Sequence, residues 1–387
     1  MKNIGFVHMV FNSGGTEIAT LNLCNYLKQN GYNVFIFTKN INKEFFQSNI
    51  QAINVIKVSK RKKVSFIEEI KKNKLELLIF TSVSCDISPK KQREISEKSG
   101  VKHVCIDHGR PFWEATNKLQ RIKRKIQTRS FFSRLKYKIL LKFHNQSKED
   151  RKIKGYYKFL LTHADSLVVL CQEYAETILK ELQMQSDKII AIPNALPPVS
   201  IDYNLDKKNI ILYVGRVEYS DKRVDRLIEI WKQIYKDYPD WELQIVGEGS
   251  DKAFLEQNVE KEQLERITFF KATPTPYTFY NEASILCITS QSESWGLVLT
   301  EAQQAGVIPM AFECSEGVSK ILSPSSENGI LVPCYDMEKY KNELRTLIEN
   351  EQKRKYIQAN ILQKSKEYDV NSIGNQWDML FRKLLDF

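Results

Sequence analysis

Short apolar runs rich in Val, Ile and Phe recur along this chain, each separated from the next by a segment with helical spacing. The first series reads KNIGFVH, NVFIFT, INVIKV, LELLIFT, VKHVCID, SLVVLC and KIIAIP, with a helix from about Thr16 to Gln29 after the first run. Strands alternating with helices pair in parallel, because a parallel pair needs a crossover long enough to hold a helix. The runs are nearly continuous in apolar residues, which predicts sheets covered on both faces. The rhythm breaks at NALPPVSIDYNLDKKN, residues 194–209, where Pro, Asn and charges take over, and the interdomain linker is placed there. It then resumes with IILYVG, a helix from about Arg223 to Tyr238, WELQIVG, RITFF, SILCITS, a helix from about Leu297 to Ala305, VIPMAF, GILVP and closing helices.

This order predicts an α/β protein of two Rossmann-like, doubly wound parallel-sheet domains, residues 1–200 and 201–387. The last helix, about 371–387, is a candidate to cross back to the N-domain. Such domains bind ligands at the carboxyl ends of their strands, here in a cleft expected between them. A length of 387 residues is too great for one ordinary core. With 42% hydrophobic and 27% charged residues, disorder is excluded. The opening MKNIGFVHMV is too short an apolar run for a signal peptide and no stretch reaches the length of a membrane span, so a cytoplasmic location is expected. Cys24, Cys85, Cys105, Cys171, Cys287, Cys314 and Cys334 form no CxxC pair and mostly lie in apolar runs; they read as buried thiols.

The formal charge of +11 is unevenly spread. Residues 110–154 hold 15 Lys or Arg against three acids, which leaves the rest of the chain close to neutral. A local anionic partner is therefore expected, and a nucleic-acid-coating protein is not. Within that segment RSFFSRLKYKILLKF, residues 129–143, places Phe131, Leu135 and Ile139 on one helical stripe, with Phe132 and Phe143 adjoining and Arg134, Lys138 and Lys142 along its edge. That is the pattern of a helix lying in an anionic membrane surface, and equally of one packed on the N-domain with a solvated basic face; an anionic acceptor is a third occupant.

Two stretches carry chemistry. In ILYVGRVEYSDKRVDRLIEIW a strand ends at Gly215 and leads through Arg216 and Lys222 into an amphipathic helix, so backbone can approach a ligand where two cations can bind a diphosphate. In SILCITSQSESWGLVLTEAQQAG a strand leads through Glu293, Trp295 and Gly296 to a helix starting at Leu297 and carrying Glu301. Ionised carboxylates accept paired hydrogen bonds from sugar hydroxyls.

Together these stretches resemble the retaining family 4 glycosyltransferases of GT-B fold. SESWGLVLTEAQQAGVIPMAF resembles that family's E-x7-E segment, with Glu293 and Glu301 in its two positions. ILYVGRVEYSDKRVDRLIEIW resembles its phosphate-binding segment, and NSGGTEIATLNLCNYLKQNGYNVFIFT its glycine-rich first loop, with Gly14 and Gly15. ADSLVVLCQEYAETI and KIIAIPNALP match the end of its N-domain. The resemblance implies that Arg216 and Lys222 neutralise a departing nucleotide diphosphate, that Glu301 holds the ribose, and that Glu293 with the amides near Trp295, Gly296 and Leu297 holds the donor sugar. His108, just after a strand in VKHVCIDHGRPFW, matches a histidine that contacts that sugar. The donor implied is a nucleotide sugar, a UDP-sugar first among them, and the acceptor a saccharide or lipid-linked saccharide of cell-surface polysaccharide assembly. Two departures stand: Arg223 occupies a position where many relatives have glycine, and Trp295 one where phenylalanine is commoner. No two aspartates are two positions apart, so the D-x-D metal pair is absent and no metal or other cofactor is expected. A non-catalytic partner subunit of the same fold is the alternative.

Overall fold

The computed structural model describes residues 2–11, 14–42, 53–58, 63–83, 87–113, 122, 126, 131–142, 145–198, 203–273 and 276–386. The chain divides into two compact units, residues 1–197 with 370–387, and residues 198–369.

In the first unit the strands are β1 (Asn3–Val7), β2 (Val10–Phe11), β3 (Asn33–Thr38), β4 (Asn40–Ile41), β5 (Asn54–Lys57), β6 (Leu77–Phe80), β7 (Lys102–Asp107), β8 (Ser166–Val169) and β9 (Ile189–Ala191). Seven of them form one sheet in the order β5-β3-β1-β6-β7-β8-β9, with every pair parallel, while β2 and β4 pair separately. All four residues of β6 and of β8 are buried, as expected of strands covered on both faces.

The second unit holds β10 (Lys208–Val214), β11 (Glu242–Val246), β12 (Ile267–Phe270), β13 (Ala283–Ile288), β14 (Ile308–Phe312) and β15 (Ile330–Val332), ordered β12-β11-β10-β13-β14-β15 and again all parallel. In both sheets the chain winds outward in one direction, then returns and winds the other way. The reversals fall between β1 and β6 and between β10 and β13. At such a point adjacent loops leave the sheet in opposite directions and open a crevice at the strand ends.

The helix Gly15–Gln29 follows the first strands, and Val370–Leu385 packs against it. Val370, Ile373, Trp377, Leu380 and Phe381 join the core of the first unit beside Tyr26, Tyr32 and Val34. Tyr26 donates to Asn375 Oδ1 at 2.6 Å and Tyr32 to Asp378 Oδ1 at 2.5 Å. Gly374 makes the close approach necessary, because a Cβ there would lie 2.3 Å from the Tyr26 ring. In the second unit Trp231, Tyr213, Tyr280 and Tyr340 are fully buried, each a large apolar contribution of about 2–3 kcal/mol.

Cys24, Cys105, Cys171, Cys287 and Cys314 are buried as expected, whereas Cys334 is exposed just beyond the end of β15, where the apolar run has already stopped. Cys85 lies outside the described residues. No helix among those described is long and apolar enough to cross a membrane.

Candidate active site

Two loops meet at the reversal point of the second sheet. One runs from Gly215, at the end of β10, to Arg223; the other runs from Thr289, at the end of β13, to Gly296. Two hydrogen bonds stitch them together: Gln291 N–H donates to Asp221 O at 2.7 Å, and the Thr289 hydroxyl donates to Arg223 O at 2.9 Å. Seventy residues of sequence thus separate groups that the topology makes neighbours.

The side chains complete the join. Lys222 Nζ lies 2.5 Å from Glu293 Oε1, with the side chains 19% and 9% exposed. Ser290 Oγ donates to the same oxygen at 2.8 Å. The stretch carrying Arg216 and Lys222 and the stretch carrying Glu293 and Glu301 are therefore bonded to one another. Arg216 pairs with Glu218 at 2.6 Å and Asp221 at 2.7 Å, and its side chain remains 58% exposed. Each cation expected to meet a diphosphate already rests on a carboxylate.

Glycines explain how closely these loops pack. A Cβ on Gly247, just after β11, would lie 1.8 Å from Gly215 O, and one on Gly249 would lie 2.1 Å from Val217 O. Only hydrogen atoms fit, and the β11 loop lies against the backbone that carries Arg216. Val217 N–H donates to Glu248 O at 2.9 Å across the same contact.

Glu301 lies on the helix Leu297–Gln304, whose N-cap Gly296 has φ +81°. A side chain at Gly296 would be strained and would also crowd Leu299. Glu301 is buried, and Tyr280 Oη donates to its Oε2 at 2.9 Å. Burial pushes the Glu301 carboxyl above the ordinary carboxylate range, and the Tyr280 hydroxyl offsets part of that rise. The charge of Glu301 raises both Tyr203 and Tyr277 in turn, behind the effect of their own burial, so three tyrosines surround one carboxylate. Trp295 is buried against Tyr368, edge to face at 5.6 Å, with its indole N–H meeting no partner among the described residues. Leu297 opens the helix.

In the first unit Gly14 is the N-cap of Gly15–Gln29, and Gly15 is that helix's first residue. Asn12 and Ser13 of the glycine-rich loop lie outside the described residues. His108 follows β7, and its Nδ1 lies 3.0 Å from Asn194 Oδ1. Its Nε2 is buried and meets no hydrogen-bond partner among the described residues. Burial lowers the His108 pKa to about 4. His8, after β1, is lowered to about 3, by burial first and by His108 second, so the two rings are electrostatic neighbours. His103 packs in the sheet against Gln92, as its place in the strand implied.

Ser290, Asp221, Tyr280, Asn194, Gly247 and Gly249 were not singled out by sequence reasoning. The pair in IVGEGS was legible as a strand-end glycine signal. The polar residues were not, because their partners lie in other elements.

The helix Phe131–Lys142 is present within the basic segment. Arg134, Lys138 and Lys142 are exposed, and so are Leu135, Ile139 and Leu140, at 54%, 50% and 44%. The apolar residues at 135 and 139 face solvent, not a core, which departs from the packed-helix expectation. The side chains of Phe131 and Phe132, and Phe143 itself, lie outside what is described.

Residues 13–198 match the family described as Glycosyltransferase Family 4, and residues 201–364 match Glycosyl transferases group 1. An uncharacterised glycosyltransferase of Haemophilus influenzae is 28% identical over 97% of this chain and 99% of its own. A Campylobacter jejuni alpha-1,4-N-acetyl-D-galactosaminyltransferase, whose name gives an undecaprenol diphosphate-linked saccharide as its acceptor, is 23% identical over 97% of both chains. Among solved structures, an Anabaena protein in complex with UDP-glucose superposes with a TM-score of 0.73 at 14% identity, covering 99% of this chain and all of that one. The shared fold is GT-B. Matched by one family over its first half and by the other over its second, the chain belongs to the family 4, group 1 glycosyltransferases.

Proposed function

We propose that this glycosyltransferase moves a sugar, with retention of anomeric configuration, from a UDP-sugar to a saccharide or lipid-linked saccharide acceptor in cell-surface polysaccharide assembly. The observation that carries the reading is the bond between Lys222 and Glu293, which unites a cation suited to a diphosphate with a carboxylate suited to a sugar.

On donor binding the diphosphate oxygens take over Lys222 and Arg216. Lys222 then releases Glu293 Oε1, which becomes free to accept from a hydroxyl of the sugar. Glu301 meets the ribose, with Tyr280 holding one of its oxygens in place. The bond from the sugar C1 to the phosphate oxygen breaks while the acceptor oxygen bonds to C1 on the same face. The acceptor's proton passes to the departing phosphate oxygen. Two preorganised cations offset the charge that develops on that group, the kind of electrostatic stabilisation that usually contributes most to such a step. With Arg and Lys in this role, and no D-x-D pair in the sequence, the transfer is assigned no metal.

The acceptor proposal draws on the Campylobacter relative's name and on the helix Phe131–Lys142, whose exposed leucines and isoleucine bordered by cations suit the anionic face of a membrane. A cytoplasmic protein peripheral to the inner face of the cell membrane is part of the same proposal. The UDP proposal draws on the ligand of the Anabaena structure. Purified protein incubated with a panel of UDP-sugars and a lipid-linked saccharide tests both, with the anomer read by NMR. A product with the donor's anomeric configuration is expected. An inverted product overturns retention, and donor binding without hydrolysis or transfer favours the non-catalytic partner subunit.

A further inference from the structure

Cys314 and Cys334 follow neighbouring strands of the second unit. β14 and β15 run parallel with Phe312 opposite Val332, and Glu313 N–H donates to Val332 O at 2.8 Å, one residue beyond that last pair. Continued by one more residue, the same register sets Cys314 beside Cys334. Neighbouring strands lie about 4.8 Å apart, inside the roughly 4.4–6.8 Å of Cα separation that a disulfide spans. The Cys334 thiol donates to Glu313 O at 2.9 Å, the carbonyl of the peptide group whose nitrogen belongs to Cys314. The Cys334 sulfur therefore lies within about 6 Å of the Cys314 Cα. The two thiols differ in access, Cys334 being exposed and Cys314 buried.

Cys314 also touches the candidate active site. Its sulfur accepts from the Glu293 backbone N–H. The loop that presents the Glu293 carboxylate to Lys222 thus rests on one of the two thiols. Burial pushes the Cys314 thiol up to about 12, and the charges of Glu293 and Lys222 act on it in opposite senses behind that. A thiol so placed is a poor first nucleophile, and the exposed Cys334 is the one that meets an oxidant.

We infer that Cys314 and Cys334 are a dithiol modification site, closed to an intramolecular disulfide by a low-molecular-weight disulfide and coupled to the candidate active site through Glu293. The Cys334 thiolate attacks one sulfur of the oxidant, whose S–S bond breaks, and one half leaves as a thiolate that takes up a proton. Cys314 then gives up its proton, and its sulfur attacks the Cys334 sulfur of the mixed disulfide, expelling the second half as a thiol. Two protein thiols are oxidised and one small disulfide is reduced to two thiols. A Cys314 sulfur turned toward Cys334 no longer meets the Glu293 N–H, so the loop loses a bond next to the carboxylate it presents. All of these groups belong to the second unit. The inference rests on the transferase reading only for its effect on transfer.

Two measurements need no substrate. The full chain is incubated with oxidised glutathione at mildly alkaline pH, its remaining thiols are alkylated, and it is digested with trypsin and a glutamate-specific protease. Cleavage after Glu313 and Lys320 puts Cys287, Cys314 and Cys334 on separate peptides. A linked pair carrying Cys314 and Cys334 is expected, with two fewer alkylated thiols than the seven of the chain. Glutathione held on Cys334 alone, or a different pairing, overturns the inference. Hydrogen exchange in the peptide containing the Glu293 amide is expected to quicken about tenfold on closure, the effect of one lost hydrogen bond, and to recover with dithiothreitol. Unchanged exchange overturns the coupling to Glu293. The third measurement is transfer from a UDP-sugar, expected to be roughly tenfold slower in the closed form and restored by dithiothreitol. Cys334→Ser should keep the parent rate with or without oxidant. Equal rates in the closed and reduced forms, or a Cys334→Ser variant as sensitive as the parent, overturn the effect on transfer. If the reduced protein transfers nothing, the transferase reading fails, and the linked peptides and the exchange rate still decide the dithiol.

Discussion

Lys222 and Glu293 stand 71 positions apart in sequence and 2.5 Å apart in space, a bond in which each side chain shields the other from water. Removing one partner strands the other in a poorly solvated place. Lys222→Met alone is expected to cost on the order of 2–4 kcal/mol, less than a fully buried pair because Lys222 keeps some solvent. The double variant Lys222→Met with Glu293→Gln should recover much of that stability and none of the transfer. Denaturant melts and transfer assays on the three proteins check it; additive losses of stability would show that the pair is not coupled.

Arg216→Ala should lower transfer by about 10²–10³-fold through loss of charge stabilisation, with the thermal transition little changed because the guanidinium is more than half exposed. Glu301→Ala should also abolish transfer, and in addition weaken UDP binding as read by calorimetry. Wild-type rates in either folded variant would remove the residue from the site.

Gly247→Ala tests the contact between the β11 loop and Gly215. The added carbon would sit 1.8 Å from the backbone carbonyl oxygen of Gly215, so the backbone itself has to shift. A loss of about 1–3 kcal/mol or more is expected, with reduced transfer as the loop carrying Arg216 shifts. A melt that matches the parent protein would count against this packing.

Three histidines set a pH dependence of stability. His8, His103 and His108 have folded pKa values of about 3, 4 and 4, against an ordinary value near 6.5, with burial the leading cause in each. Between those limits the unfolded chain binds protons that the folded chain refuses, so stability is fully present above about pH 6.5 and is lost as the pH falls toward 4. Glu301, with its pKa raised, contributes with the opposite sign. The measurement is therefore a comparison of slopes: His108→Gln should flatten the fall in melting temperature between pH 7 and pH 5.5, and an unchanged slope would contradict the assignment.

Replacing Arg134, Lys138 and Lys142 together by Glu should release the protein from vesicles containing anionic phospholipid. Undiminished sedimentation with anionic vesicles would exclude the helix Phe131–Lys142 as the docking element.

The two sheets were legible because a strand buried on both faces is largely apolar: β6 is apolar throughout, and β8 and β13 each carry a single serine in an otherwise apolar run. Glu293, Glu301, Arg216 and Lys222 were legible for a related reason: they follow strand ends in stretches where polar residues are conspicuous. What the sequence hides is pairing. Nothing local to DKRVD says that Lys222 will find Glu293, and nothing in IPNALP says that Asn194 will face His108. Both contacts arise from strand order, which a linear pattern leaves open. The expectation for the basic helix shows the same limit, since its amphipathic spacing suits a packed face and an exposed one equally.

The helix Val370–Leu385 completes the hydrophobic core of a unit whose other residues end at Pro197. As the polypeptide emerges from the ribosome, the contiguous unit 198–369 has all its strands and can close first. The unit begun earliest waits, with Tyr26 on its first helix and Tyr32 just beyond that helix uncovered, until residues 370–387 arrive. The core of the first unit cannot be completed before the second unit has been made, and loss of the helix Val370–Leu385 would injure the sheet that carries His108, not the one adjoining it in sequence.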